Sequence, residues 1–249
     1  MTPSRRTIYV FGGSKGIGGG IAEALAEAGW DVVSFSRNPP SDGRIRHVPI
    51  DFSDQAAARA LVRASVARDR NALLGFFYSA VHYGSGRADF LAGDPELWRL
   101  SIDVNLNGLA IALGEIGPAL VGRETPGFVC GVSSEVAYNA GPGRAAYAAS
   151  KAGAASLLRS FSQEIDAAET IVVQIMPEGM VDTPGIRRRR PRDFDYSHYA
   201  SPGSFGRFAC HLAETLSAGD HGAEYVISTD GHWRHVARGV PASQSRRSA

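Results

Sequence analysis

The run Thr7-Ile8-Tyr9-Val10-Phe11-Gly12-Gly13-Ser14-Lys15-Gly16-Ile17-Gly18 decides the fold. Its first five residues are β-branched or aromatic and stop at two glycines, the pattern of a buried strand. The glycine turn opens a helix that carries Ile17, Ile21, Ala24, Leu25 and Ala28 on one face and ends at Gly29. Asp31 to Ser36 then reads as a second strand. A strand, a glycine turn, a helix and a strand within about 30 residues form the setting of a dinucleotide phosphate site. The glycines let backbone approach a pyrophosphate, and the helix N-terminus offers unpaired N–H groups to the anion. The spacing is G-x-x-x-G-x-G at Gly12, Gly16 and Gly18, not G-x-G-x-x-G, because Ile21 stands where the last glycine would fall.

The end of the second strand bears on which nucleotide fits. An acid about 20 residues past the glycines would hold a ribose 2′-hydroxyl. Ser36 occupies that place, Arg37 follows it, and Lys15 lies inside the turn. Two cations and a missing carboxylate favour a 2′-phosphate, so the expected cofactor is NADP(H) and not NAD.

Outward from this unit the chain alternates strands and helices. Arg46 to Ile50 reads as a third strand, reached through a Pro- and Gly-rich loop (Asn38 to Gly43) too short for a crossover helix. Ser53 or Asp54 caps a helix running to about Arg68, and Leu73 to Ser79 is a fourth, apolar strand. Asp94-Pro95-Glu96 starts a helix that runs toward Gly117, with Asn105 inside its apolar pattern, where a poor helix former needs a reason. Gly127 to Ser133, Ile171 to Met176 and Glu224 to Thr229 supply strands five to seven, and a long helix spans about Ala145 to Asp166. The expectation is one doubly wound α/β domain over residues 1–237, a Rossmann-type, mostly parallel seven-stranded sheet, with a loose polar tail at 238–249.

Tyr147 and Lys151 lie one turn apart on that long helix, and Ser134 sits at the end of strand five, the edge where ligands sit in open parallel sheets. A fixed ammonium near a phenol favours the phenolate and makes it a better proton-transfer group.

These residues together resemble the short-chain dehydrogenase/reductase family in its classical form, over nearly the whole chain. Gly12, Gly16, Ile17 and Gly18 match its glycine turn, and Tyr147 and Lys151 match its Y-x-x-x-K motif with Ala149-Ser150 between them. Ser134, thirteen residues earlier, matches its catalytic serine, and Asn105 its catalytic asparagine. Asp51 matches the acid near the adenine ring, and Asp230-Gly231 the end of the last strand. The resemblance implies catalysis by Asn105, Ser134, Tyr147 and Lys151. It also implies dinucleotide contacts at Ser14, Phe52, Ser79, Ala80 and Val81, and at Glu178, Gly179, Val181 and Thr183 beside the nicotinamide. In reduction, Tyr147 would protonate the carbonyl oxygen and Ser134 would hydrogen-bond it. Lys151 would lower the Tyr147 pKa and hold the ribose, while Asn105 would position a water. Departures occur at Phe11, where threonine is common, at Tyr78-Ser79-Ala80-Val81 in place of Asn-Asn-Ala-Gly, and at Glu178-Gly179 in place of Pro-Gly.

The resemblance further implies a dimer or tetramer built on the helices around Asn105 and Tyr147, and a substrate loop at about 183–205. That loop holds Arg187 to Arg190, Arg192, Phe194, Tyr196 and Tyr199. It could receive an anionic or aromatic ketone or an acidic carrier surface, or simply be a solvated lid. His82-Tyr83-Gly84 and Tyr138-Asn139 are expected to line the same cleft. Reduction of a ketone, with a secondary-metabolic ketoreductase as one setting, is the leading reading. Alcohol oxidation and a non-catalytic dinucleotide sensor are its competitors.

Composition narrows the classes. With 44% hydrophobic and 20% charged residues the 249-residue chain can bury a large core, and a formal net charge of +1 provides no field to recruit nucleic acid or an acidic membrane. Cys130 and Cys210 make neither a disulfide framework nor a metal site, and the N-terminal apolar run is too short for a signal or a span. A cytoplasmic protein without a metal is expected.

Overall fold

Strand β1 (Thr7–Phe11) is buried along its whole length because it lies inside the sheet, with neighbours on both sides. The computed structural model describes residues 6–84 and 89–236; the 238–249 tail expected from the sequence lies outside them. After β1 come α1 (Gly16–Glu27), β2 (Asp31–Ser36), β3 (Arg46–Pro49), α2 (Gln55–Asp69) and β4 (Leu73–Tyr78). The chain continues through α3 (Pro95–Ile102), α4 (Gly108–Leu120), β5 (Gly127–Val132), α5 (Ala145–Glu164) and β6 (Thr170–Pro177). Then follow α6 (Pro184–Arg187), α7 (Gly206–Thr215), β7 (Glu224–Ile227) and β8 (Trp233–His235).

The sheet order is β3-β2-β1-β4-β5-β6-β7-β8. Pairing is parallel up to β7, and the order reverses between β1 and β4, which opens the ligand crevice at the carboxyl ends of those strands. This is a single-domain, mostly parallel Rossmann-like α/β fold. Among the described residues the sheet has eight strands where seven were expected. Ser228-Thr229-Asp230-Gly231 turns the chain back, and Trp233–His235 pairs antiparallel to β7. Three residues after a turn are too few to show a strand period.

Alternation on the strands divides the core into two layers. Ile8 and Val10 face α1 and α7, packing with Leu25, Phe208 and Leu212. Tyr9 and Phe11 face α2, α4 and α5, packing with Val62, Leu109 and Leu158. At the amino ends of the strands, Arg46 bonds Asp31 (Nη2–O 2.6 Å), and Tyr9 donates its hydroxyl to Asp69 at 2.9 Å.

The expected single helix from Asp94 toward Gly117 is interrupted. Asp103–Asn107 forms a π-helical turn between α3 and α4, and α4 continues to Leu120 through Pro118. A π turn inserts one extra residue, which swings Asn105 off the α-helical stripe.

Candidate active site

The glycine turn is dictated by close approach. Gly12 has φ +79°, and a Cβ there would lie 2.7 Å from the Ala80 backbone nitrogen. A Cβ at Gly18 would collide with the Gly12 carbonyl. Gly16 has φ +61°, and its face meets the Thr183 methyl, so the turn touches the base of the substrate loop. α1 starts after Lys15 with no side-chain cap and no acid in its first turn. Its first N–H groups therefore remain available to an anion.

Lys15, Gly16, Ile17, Arg37, Ser79 and Val81 line one end of a cleft of about 1090 Å³. The same cleft reaches Glu178, Gly179, Val181 and Thr183, and also Ser134, Tyr147 and Lys151. Ser14 is half-buried in the turn. Ser36 is buried, and its hydroxyl donates to the Asn38 carbonyl at 2.8 Å, whereas Arg37 projects outward. Asp51 is exposed, and the Ser53 backbone N–H and nearby Arg37 hold its carboxyl below the usual range. Phe52 lies in the core, 5.9 Å from the Phe11 ring and 5.8 Å from Tyr78.

Two departures from the family pattern form one unit. Phe11 stacks on Phe35 at 4.7 Å and lies 5.6 Å from Tyr78, and the buried Tyr78 hydroxyl donates to the Val104 carbonyl in the π turn. Aromatic packing behind the crevice takes the place of a polar strand end.

The next residue of the π turn explains its asparagine. Asn105 is 1% exposed; its Oδ1 accepts from the His82 N–H at 2.6 Å, and its Nδ2 donates to the His82 carbonyl and to Ser150 Oγ. Ser150 in turn donates to the Tyr147 carbonyl at 2.8 Å. Asn105 thus ties the loop after β4 to the first turn of α5.

Ser134 follows β5 in extended backbone, lines the cleft with Tyr147, and its Oγ accepts from the Val136 N–H at 3.5 Å. Lys151 is buried, donates from Nζ to the Val132 carbonyl at 2.7 Å, and has its pKa pulled down to about 8 by desolvation. The expected lowering of the Tyr147 pKa by Lys151 is not what this site shows. Burial pushes the Tyr147 phenol well above its usual range, reinforced by the neighbouring Tyr83 hydroxyl and opposed by that of Ser134. The ammonium is turned to a backbone carbonyl, so burial outweighs it.

Tyr83 does reach the cleft. Its ring lies 5.0 Å from that of Tyr147. Tyr138 does not: its hydroxyl bonds Glu224 and receives Arg159, directing it to β7. The Glu178 carboxylate lies 3.6 Å from Arg234 of β8.

The substrate loop is closed at its base. Val181 and Ala200 form an isolated bridge, with Asp182 N–H on the Ala200 carbonyl at 2.9 Å. Arg187 forms a two-bond pair with Asp182 and lies over Tyr196; Arg190 lies over Phe194 and donates to Tyr199. Phe194, Tyr196 and Tyr199 pack edge to face. Arg187 and Arg190 thus staple the loop to itself, which a freely solvated lid would not do. Arg189 bonds the Gly185 carbonyl through Nε at 3.0 Å and lies over Tyr83, 4.9 Å from the ring centre. Arg144, which precedes α5 and lines the cleft, was missed in the sequence; its only signal there is a cation placed three residues before Tyr147. Among the described residues no cluster of side chains could hold a metal ion, and no helix is long and apolar enough to cross a membrane.

Comparison with known proteins agrees with this geometry. The short chain dehydrogenase family model matches residues 6–193, and the chain belongs to that family. It is similar to a 2-dehydro-3-deoxy-D-gluconate 5-dehydrogenase of Pseudoalteromonas atlantica, 28% identical over 92% of this chain and 95% of that protein. It is also similar to a 3-oxoacyl-(acyl-carrier-protein) reductase of Chlamydia muridarum, 30% identical over 72% of this chain and 75% of that one. Among solved structures, aldohexose dehydrogenase of Thermoplasma acidophilum superposes with a TM-score of 0.80 at 20% identity, covering 91% of this chain and 94% of the other. The protein is an oxidoreductase acting between alcohol and carbonyl groups, built on a fold that binds a nicotinamide dinucleotide.

Proposed function

We propose that the protein reduces a ketone to an alcohol with NADPH, Tyr147 acting as the general acid. The observation that carries this reading is the convergence of Ser134, Tyr147 and Lys151 at one end of a cleft whose other end presents Lys15, Arg37 and the uncapped start of α1. Residues at both ends fit the cofactor: N–H groups and two cations for its phosphates, and a buried lysine for its ribose. When bound, the dinucleotide supplies the hydride.

The remaining work belongs to the chain. The Tyr147 hydroxyl gives its proton to the carbonyl oxygen, and a phenol held protonated by burial suits donation at neutral pH. Ser134 donates a hydrogen bond to the same oxygen and stabilises the charge developing there. Asn105 fixes the first turn of α5 through Ser150, which keeps Tyr147 in register. Alcohol oxidation is the second reading, supported by dehydrogenases among the relatives that match most of the chain. Screening ketones with NADPH and alcohols with NADP⁺ separates the two. Tyr147→Phe should leave NADPH affinity within about twofold and lower turnover by 10²–10⁴-fold; comparable turnover in that variant rules out the assignment.

A further inference from the structure

We propose that Tyr138 and Glu224 are positioning residues for the reaction: the bond between them fixes the turn that carries Ser134, and so sets where that hydroxyl meets the substrate oxygen. This deepens the carbonyl-reduction reading and rests on it.

The first observation is the turn itself. The chain leaves the sheet at Ser133, whose N–H donates to the Ile175 carbonyl at 2.7 Å. Ser134 then opens a single 3₁₀ turn over Glu135–Ala137. The Ser134 carbonyl accepts from the Ala137 N–H at 3.0 Å, and the Glu135 carbonyl from those of Tyr138 and Asn139 at 3.0 and 2.9 Å. Bonded in this way, Ser134 to Asn139 is one piece, and what anchors its far end also holds Ser134. A lone 3₁₀ turn has little stability of its own, so anchors matter. Val136 fixes the middle by burial. Tyr138 fixes the end.

The second observation is how that end is held. The Tyr138 ring is 39% exposed, so apolar burial does not orient it. Its hydroxyl does. It donates to Glu224 of β7, 86 positions on, and accepts from Arg159 at 3.3 Å. Arg159 lies on α5, the helix that carries Tyr147 and Lys151, and the turn packs against that helix. One hydroxyl therefore ties the Ser134 turn to the sheet and to the helix of the general acid. Those are the two groups that must reach the same carbonyl oxygen.

The third observation concerns the acceptor. Glu224 Oε1 is shielded from solvent with no hydrogen-bond partner among the described residues, and burial pushes its carboxyl above the usual range. Arg159 of α5 and His235 of β8 are the cations near it, and Gln174 is its neighbour on β6. A carboxylate held in this way is a poor source of stability, because desolvation offsets most of what its bond contributes. What it supplies is direction, an acceptor at a fixed point on β7. Loss of register at a reacting group can lower a rate by about 10²-fold.

The test uses the whole protein with NADPH and ethyl acetoacetate. Tyr138→Phe and Glu224→Leu should each lower kcat by about tenfold and leave NADPH affinity unmoved. Glu224→Gln, whose amide oxygen still accepts, should recover most of the loss seen with leucine. In a Ser134→Ala background Tyr138→Phe should have no further effect, because its influence passes through that hydroxyl. Unchanged kcat in Tyr138→Phe, or an equal loss in both backgrounds, overturns the proposal. Hydrogen exchange reads the turn without a substrate: the Ala137, Tyr138 and Asn139 amides should exchange at least about fivefold faster in Tyr138→Phe. Unmoved exchange also overturns it. Ser134→Ala separates the two levels. If that variant turns over like wild type, the carbonyl-reduction reading beneath fails; if it collapses while Tyr138→Phe does not, only the positioning role is removed.

Discussion

The Tyr83 and Tyr147 rings pack 5.0 Å apart, and the Arg189 guanidinium lies over the Tyr83 ring. The general acid is thus linked to the substrate loop through one side chain. The Tyr83 hydroxyl raises the Tyr147 pKa, so Tyr83→Phe should lower it. Reduction needs Tyr147 protonated, and its rate falls as pH rises through that pKa. The falling limb of kcat/KM against pH should therefore move to lower pH in Tyr83→Phe. An unmoved limb contradicts the link.

Lys151 carries a measurable cost in the folded protein. Its pKa falls from 10.5 to about 8 through desolvation. Between those values the unfolded chain binds the extra proton, so stability rises with pH across that window. The ammonium penalty is fully present below pH ~8 and amounts to on the order of 3 kcal/mol by the shift. Wild type should gain on Lys151→Met in thermal unfolding between pH 8 and 10. Parallel curves for the two proteins would show that the lysine is not desolvated.

The aromatic unit behind the crevice predicts a coupled pair. A Cβ at Gly108 would run into the Tyr78 hydroxyl and lie 2.9 Å from the Phe52 ring. Gly108→Ala should cost about 1–3 kcal/mol from overpacking. Tyr78→Phe removes the hydroxyl and should recover part of that loss in a double-mutant cycle by denaturant unfolding. Strict additivity would mean that the two side chains do not compete for the space.

The stapled loop predicts resistance to proteolysis. Removing the Arg187 pair with Asp182→Asn should speed trypsin cleavage within residues 187–190 by no more than about fivefold, since solvent screens a mostly exposed pair. Tyr199→Ala, which also breaks the aromatic cluster, should exceed that. Equal cleavage in all three proteins would mean that the loop is loose already.

Much of this was legible in the residues because the signals are local. The β1 run, the glycines after it and the α1 stripe each follow from neighbours in sequence, and the Tyr147 and Lys151 spacing is a property of one helix. What was not legible depends on partners far along the chain. Asn105 looked like a poor helix former in an apolar stripe, and only the π turn and the His82 and Ser150 contacts give it a place. Phe11 and Tyr78 looked like two unrelated departures until β1 and β4 set them side by side. Tyr138 turned away because Glu224, 86 positions later, offered an acceptor. The direction of the Tyr147 shift depends on burial, which spacing does not report.

The most direct measurement is a fluorescence titration of the purified protein with NADPH and with NADH. The account predicts micromolar NADPH binding and NADH at least about tenfold weaker, with the difference lost in Arg37→Ala combined with Lys15→Ala. NADH binding as tightly as NADPH would contradict the assignment of Lys15 and Arg37 to a 2′-phosphate. Binding of neither would contradict the nicotinamide-dependent reaction itself.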